Sequence, residues 1–113
     1  MKIQKQKYAN DFEIIYSKPW DDYKDMRLDK GCYILVKVYR DTHYIGVAIC
    51  DYKHNILKEF RARRAQDIYH SIFQYSENHD KKWFTKLDHA AYLGKELKKA
   101  EMCLAIGAEY TQD

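Results

Sequence analysis

Apolar and polar residues alternate with period two over two neighbouring stretches of the chain. Cys32, Ile34, Val36 and Val38 share one face of the first, and Ile45, Val47 and Ile49 share one face of the second. Period two is the spacing of a pleated strand with one buried face. Pairing Val38 with Ile45, Val36 with Val47 and Ile34 with Ile49 keeps one register, closed by Asp41-Thr42 between Arg40 and His43. The pattern predicts an antiparallel hairpin, since a slip of one residue would bury Lys37 and expose the valines. The opposite face carries Tyr33, Leu35, Tyr39, Tyr44, Ala48 and Cys50, with Tyr39 and Tyr44 as a cross-strand pair. That face is too apolar to be plainly wet, and an N-terminal segment or a second subunit is expected against it.

A third strand is predicted from Ile56 to Arg61, after a turn at Tyr52-Lys53-His54-Asn55, with Ile56 and Phe60 inward and Leu57 opposite. Asp11 to Tyr16 adds an expected edge strand through Phe12, Ile14 and Tyr16. After Arg64 the period changes to that of a helix. Ala65, Ile68, Ile72 and Phe73 mark one helix to about Ser76, and Glu77-Asn78-His79-Asp80 breaks it. Ala90, Leu93, Leu97, Ala100 and Leu104 mark a second helix from Leu87 to Ile106, with Asp88 in its first turn and Gly107 as its C-terminal cap. Gly94 interrupts that helix, either as a neutral surface residue or to admit a close neighbour. The expected fold is α+β: an antiparallel meander of three to four strands with two C-terminal helices on one face. Residues 1–28 form an N-terminal segment and residues 29–113 a single domain.

Composition narrows the class without naming a function. The chain has 113 residues, 46% hydrophobic and 15% aromatic, enough for one domain with a core and too apolar for intrinsic disorder. No apolar run reaches the length of a membrane span, and the polar start, Met1 to Asn10, lacks a secretory signal. Three cysteines, at 32, 50 and 103, fit neither a disulfide scaffold nor a zinc site, so a reducing cytoplasmic setting is expected. Twenty basic and seventeen acidic residues leave +3, too little to argue for nucleic acid.

Candidate chemistry is sparse. His43 and His54 fall in predicted turns and are expected to be solvated; His70 and His79 lie on a polar helix side and in a loop. His89 stands next to Asp88 and near Tyr92 and Glu96 along the second helix, where a carboxylate would tune its protonation. Arg61, Arg63 and Arg64 precede the first helix and are candidates to hold a phosphate or carboxylate. Lys81-Lys82-Trp83-Phe84 adds a basic and aromatic patch, although Trp20 and Trp83 suit a core or interface better than a stacking platform. No nucleophile–base pair and no glycine-rich phosphate loop is present, so the residues name no reaction.

The last 27 residues carry a more specific signal. They read Asp88-His89-Ala90-Ala91-Tyr92-Leu93-Gly94-Lys95-Glu96-Leu97-Lys98-Lys99-Ala100-Glu101, then Glu109-Tyr110-Thr111-Gln112-Asp113. This resembles a small archaeal domain of unassigned function. The domain occurs at the C-terminus of dihydropteroate-synthase-related proteins. It also occurs in proteins similar to one component of the tetrahydromethanopterin S-methyltransferase. Ala65 to Ile72 looks like the family's first helix. Asp29-Lys30-Gly31-Cys32-Tyr33 looks like its entry to the first strand, without the family's proline and with the aromatic displaced.

The resemblance implies a link to pterins and one-carbon units and no established reaction. The expected role is a non-catalytic accessory or ligand-binding module. Asp88, His89, Tyr92, Glu96, Gln112 and Asp113 would gather if the tail folds back on the last helix, and a reduced pterin's amide and amine edge suits Asp88 or Asp113. The alternatives are a structural domain that forms a homodimer, which the Tyr-rich outer sheet face motivates, and a small nucleic-acid binder using Arg61, Arg63, Arg64, Lys81 and Lys82. A pterin-dependent enzyme and a second copy of the chain are the expected partners, and a membrane is not.

Overall fold

The computed structural model describes residues 27–112. Four strands, β1 (Arg27–Leu28), β2 (Cys32–Tyr39), β3 (Tyr44–Asp51) and β4 (Ile56–Ala62), precede two helices, α1 (Ala65–Asn78) and α2 (Leu87–Ile106). The strands form one antiparallel sheet in the order β1-β2-β3-β4. This is the α+β meander that the patterning predicts. The expected strand at Asp11–Tyr16 lies outside the described residues.

The hairpin register is as expected: Ile34 pairs with Ile49, Val36 with Val47, Val38 with Ile45, and Tyr39 with Tyr44. The connection is longer than the expected two residues, because the strands end at Tyr39 and Tyr44 and a four-residue turn, Arg40 to His43, joins them. His43 there takes a left-handed backbone, φ 61°. Gly46 has a steric reason: a Cβ at this position would lie 2.5 Å from the Tyr39 ring, which crosses over it.

One expectation fails at β4. Phe60 faces the helices, but Ile56 packs with Tyr33, Ala48 and Cys50 on the opposite side of the sheet. The cause is a bulge. Ile49 pairs with Lys58 and Cys50 with Ile56, so Leu57 is the extra residue and the strand's faces exchange across it. Leu57 is left exposed.

The core lies between the sheet and the helices. Ile34, Ile45, Val47 and Ile49 meet Ile68 and Ile72 of α1 and Leu93, Leu97 and Ala100 of α2, with Trp83 from the interhelical loop. Each fully buried Ile or Leu side chain contributes about 1.5–3 kcal/mol. Phe73, expected in this core, sits on its flank and stacks on Phe84 at 4.2 Å between ring centres. Helix α2 keeps its expected bounds and ends at Gly107, whose left-handed φ of 72° closes the last turn through the Cys103 carbonyl.

Candidate functional site

The tail after α2 folds back, and the C-terminal motif closes on itself. Gln112 carries the contact. Its carboxamide donates to the Ile34 carbonyl at 2.9 Å and accepts from the Val36 amide at 2.9 Å, both on the outer edge of β2. It also donates to the Tyr92 hydroxyl at 2.9 Å. One turn along the helix, the Tyr110 hydroxyl donates to Glu96 at 2.7 Å. Glu96 is fully buried, with Lys99 Nζ at 3.3 Å and Lys95 Nζ at 3.7 Å. Helical spacing sets Tyr92, Glu96 and Lys99 on one flank of α2, and the left-handed turn at Gly107 reverses the chain towards them. Tyr92, Glu96 and Gln112 are therefore brought together. Asp113 lies outside the described residues.

His89 and Asp88 separate. Asp88 is exposed in the first turn of α2. The carboxylate beside His89 is Asp29, in the turn between β1 and β2, with Oδ1 3.3 Å from His89 Nδ1. That approach is within ion-pair distance but out of hydrogen-bond alignment. The other oxygen of Asp29 accepts from the Thr85 amide at 2.8 Å, the Lys86 amide at 3.2 Å and the Thr85 hydroxyl. Asp29 thus caps the start of α2 from across the fold, where N-cap Lys86 offers no side-chain cap of its own. Burial alone would raise the Asp29 carboxyl. The Thr85 side-chain and backbone hydrogen bonds, the charge of His89 and the Lys86 amide outweigh it and hold the pKa below its ordinary 3.8. Asp29 and Thr85 are residues that the helical periodicity does not flag. The signal available in the sequence is the Asp29-Lys30-Gly31 turn opposite a helix start with no capping side chain.

Of the three arginines, Arg61 and Arg63 share the outer sheet face and Arg64 stands apart from them. Strand alternation puts Arg61 on the outer sheet face, over the Tyr39 ring at 4.8 Å and 3.9 Å from Glu59. Arg63 lies over the Tyr44 ring at 4.9 Å. Arg64 is the N-cap of α1 and faces a groove of about 400 Å³ between the two helices, with Tyr69, Gly94 and Leu97. The amide that starts α1, on Ala65, already donates to the chain's own Glu101 carboxylate at 3.2 Å. Trp83 is buried and offers no stacking platform, and Lys82 pairs with Asp80 at 3.3 Å.

His54 departs from its expected solvation. It is half-buried, with Nδ1 2.8 Å from the Tyr33 hydroxyl, and burial lowers its pKa despite the Asp51 carboxylate. Burial also pushes the Cys50 thiol up to about 12 and raises Cys32, so neither sheet thiol is a nucleophile at neutral pH. Among the described residues no group of three or more His, Cys, Asp or Glu side chains is placed to hold a metal. No described helix is long and apolar enough to cross a membrane.

These features define an α+β module whose C-terminal polar chemistry is spent on tying its own ends to one helix. The family model described as PterinBD-DUF4346, a domain of unknown function by that label, matches residues 26–113, and the chain belongs to this family. An uncharacterised protein of Methanocaldococcus jannaschii is 29% identical over 104 residues, covering 92% of this chain and 18% of that protein. A Ycf91-like protein of a Nostoc species is 43% identical over 54 residues, covering 48% of this chain and 40% of that protein. The chain thus spans less than half the length of either relative. No solved structure matches it.

Proposed function

We propose that the chain is a non-catalytic accessory module that works beside a pterin-binding protein in one-carbon metabolism. In this reading its C-terminal motif holds the module's shape and does not hold the pterin. The observation that carries it is where the motif's polar side chains go. Gln112 is spent on Ile34, Val36 and Tyr92, Glu96 on Tyr110 and Lys99, and Glu101 on the Ala65 amide. A pterin's amide–amine edge needs a carboxylate free to meet it, with an aromatic or apolar wall beside it. Asp88 is exposed in the first turn of α2, without such a wall among the described residues. The family label couples this domain to pterin-binding proteins, and the archaeal relative carries the same unit within a much longer chain. Both support a module that acts through a neighbour.

The test is a pair of titrations. Reduced methanopterin and folate derivatives are added to the purified chain while calorimetry follows heat and fluorescence follows tryptophan. The same chain is then mixed with a dihydropteroate-synthase-related protein of the same organism and sedimented. The expected result is no saturable pterin signal from the chain alone and a defined complex with the protein. Saturable pterin binding by the chain alone, lost in Asp88→Ala with the fold intact, would make this a pterin-binding module instead. A second reading, a structural domain that self-associates, draws on Met102 and Ile106, exposed one turn apart on the outer side of α2. It predicts a dimer in the same sedimentation run, weakened by Ile106→Lys.

A further inference from the structure

We propose that the edge of β2 beyond Tyr33, which no described strand covers, is a docking site for an extended polypeptide segment bearing an acidic side chain, seated between the strand and the C-terminal tail. β2 pairs with β3 along its whole length, but with β1 only at Cys32 and Tyr33. Beyond Tyr33 no described strand lies on its outer side. In an antiparallel strand, alternate residues turn both backbone groups to the same side. Gln112 fixes the phase, because it bonds the Ile34 carbonyl and the Val36 amide. The Val36 carbonyl and both backbone groups of Val38 therefore turn outward with them. None of these three makes a hydrogen bond with a described residue.

The tail stands opposite this edge. It passes Arg40, which donates to the Gly107 carbonyl at 3.1 Å, and reaches Ile34 at Gln112. Between them is a groove of about 290 Å³, with Val36 to Arg40 on one bank and Glu109 and Tyr110 on the other. What the groove takes is shown by its own end. The Gln112 carboxamide accepts one bond and donates one across residues two apart on the strand, the contact that the next peptide group in a sheet makes. An incoming backbone would repeat it one step along, donating to Val36 and accepting from Val38. Charge selects the occupant. Lys37 is exposed on this strand and Arg40 closes the groove's end, against one carboxylate among the described residues, Glu109. A second copy of β2 would bring its own Lys37 and Arg40 onto these two, so an acidic segment of another protein is the better fit. The inference rests on the accessory reading only for who supplies that segment.

The probe is a capped pentapeptide alternating valine with aspartate and glutamate, titrated into isotope-labelled protein and read by nuclear magnetic resonance. Saturable shifts are expected at the amides of residues 36–40 and at the Gln112 side chain, with at least tenfold weaker binding of the same peptide with lysine in place of the acids. Val38→Pro removes the docking donor without touching a β2–β3 bond and is expected to abolish these shifts. Lys37→Glu, on the exposed face, is expected to reverse the preference between the two peptides even if Val38→Pro does not fold. No shift at millimolar peptide, or shifts only away from β2, would overturn the site. So would concentration-dependent self-association that protects the Val38 amide. A complex with the pterin-binding protein that Lys37→Glu leaves unchanged would overturn the edge and leave the accessory reading standing. Peptide binding with no such complex would do the reverse.

Discussion

The start and the middle of α2 are tied to the rest of the fold by different chemistry. At its start an anionic group, Asp29, gathers two backbone amides, a hydroxyl and His89. Towards its middle, at Tyr92 and Glu96, the ties are a neutral carboxamide, Gln112, which also lies on strand backbone, and a phenol, Tyr110, on a buried carboxylate. The first is a helix cap, in which a charge meets the positive end of the helix and unpaired amides. The second does what a neighbouring strand would do, pairing two backbone groups of β2 that no described strand reaches. The difference teaches where each can fail. A cap is worth about 1 kcal/mol and answers to acid, whereas a buried carboxylate with assembled partners cannot lose one member cheaply.

Glu96→Ala is accordingly the most damaging change. It removes the acceptor of Tyr110 and the counter-charge of Lys99 from a fully buried position. A loss of about 3 kcal/mol is expected, measured as the shift in denaturation midpoint followed by circular dichroism. A loss in Glu96→Gln much smaller than in Glu96→Ala would show that the charge itself contributes little. Gln112→Ala comes next. It deletes three hydrogen bonds at the exposed end of the tail, and about 2 kcal/mol is expected at roughly 0.5–1.5 kcal/mol for each. Hydrogen exchange should then rise at the Val36 amide while the Ile45 and Val47 amides stay protected. Faster exchange across the whole hairpin would mean that Gln112 holds more than the edge.

Asp29→Ala is expected to cost about 1 kcal/mol at neutral pH. Its signature lies in the pH dependence. The Asp29 carboxyl is held below its ordinary 3.8 in the folded chain, so the folded state binds its proton less readily than the unfolded state. The resulting stability is complete above the unfolded value and drains away as pH falls through the folded one. The gap between the native chain and Asp29→Ala should therefore be constant near neutrality and narrow below pH ~4. A gap that widens in acid would reverse the sign and remove Asp29 as the charged cap.

The same contrast marks what the sequence could reveal. The hairpin register was legible because period-two alternation leaves one pairing that buries every valine and isoleucine on one side. The α2 bounds were legible from its apolar stripe and Gly107. Ile56 was misplaced because a bulge costs a strand no change in composition, so alternation runs through Leu57 as though it were paired. Tyr92, Glu96 and Gln112 were singled out from a family motif, and helical spacing relates only the first two. Asp29 was missed as the partner of His89 because Asp88 stands next to it in the chain. In a helix, adjacent residues point in directions about 100° apart, so the neighbour in sequence is the wrong place to look. Among the arginines, period two sets Arg61 and Arg63 on the same outer face, over the paired Tyr39 and Tyr44 rings, whereas Arg64 leaves the strand to cap α1.

The smallest expected effect is at Gly94 and runs the other way. Glycine in mid-helix costs about 1 kcal/mol against alanine. A Cβ at Gly94 would meet only the edge of the Tyr69 ring, at 3.5 Å, which is ordinary van der Waals contact. The fold therefore gives no packing reason for a glycine between Tyr92 and Glu96, and Gly94→Ala should raise stability by about 0.5–1 kcal/mol. If thermal denaturation shows the gain, the groove that Gly94 opens between α1 and α2 is dispensable for folding, and any loss of partner binding in the same variant would locate a contact there. A destabilised variant would instead mean that the Tyr69 ring cannot shift, and that α1 and α2 are packed more tightly at Gly94 than the 3.5 Å contact implies.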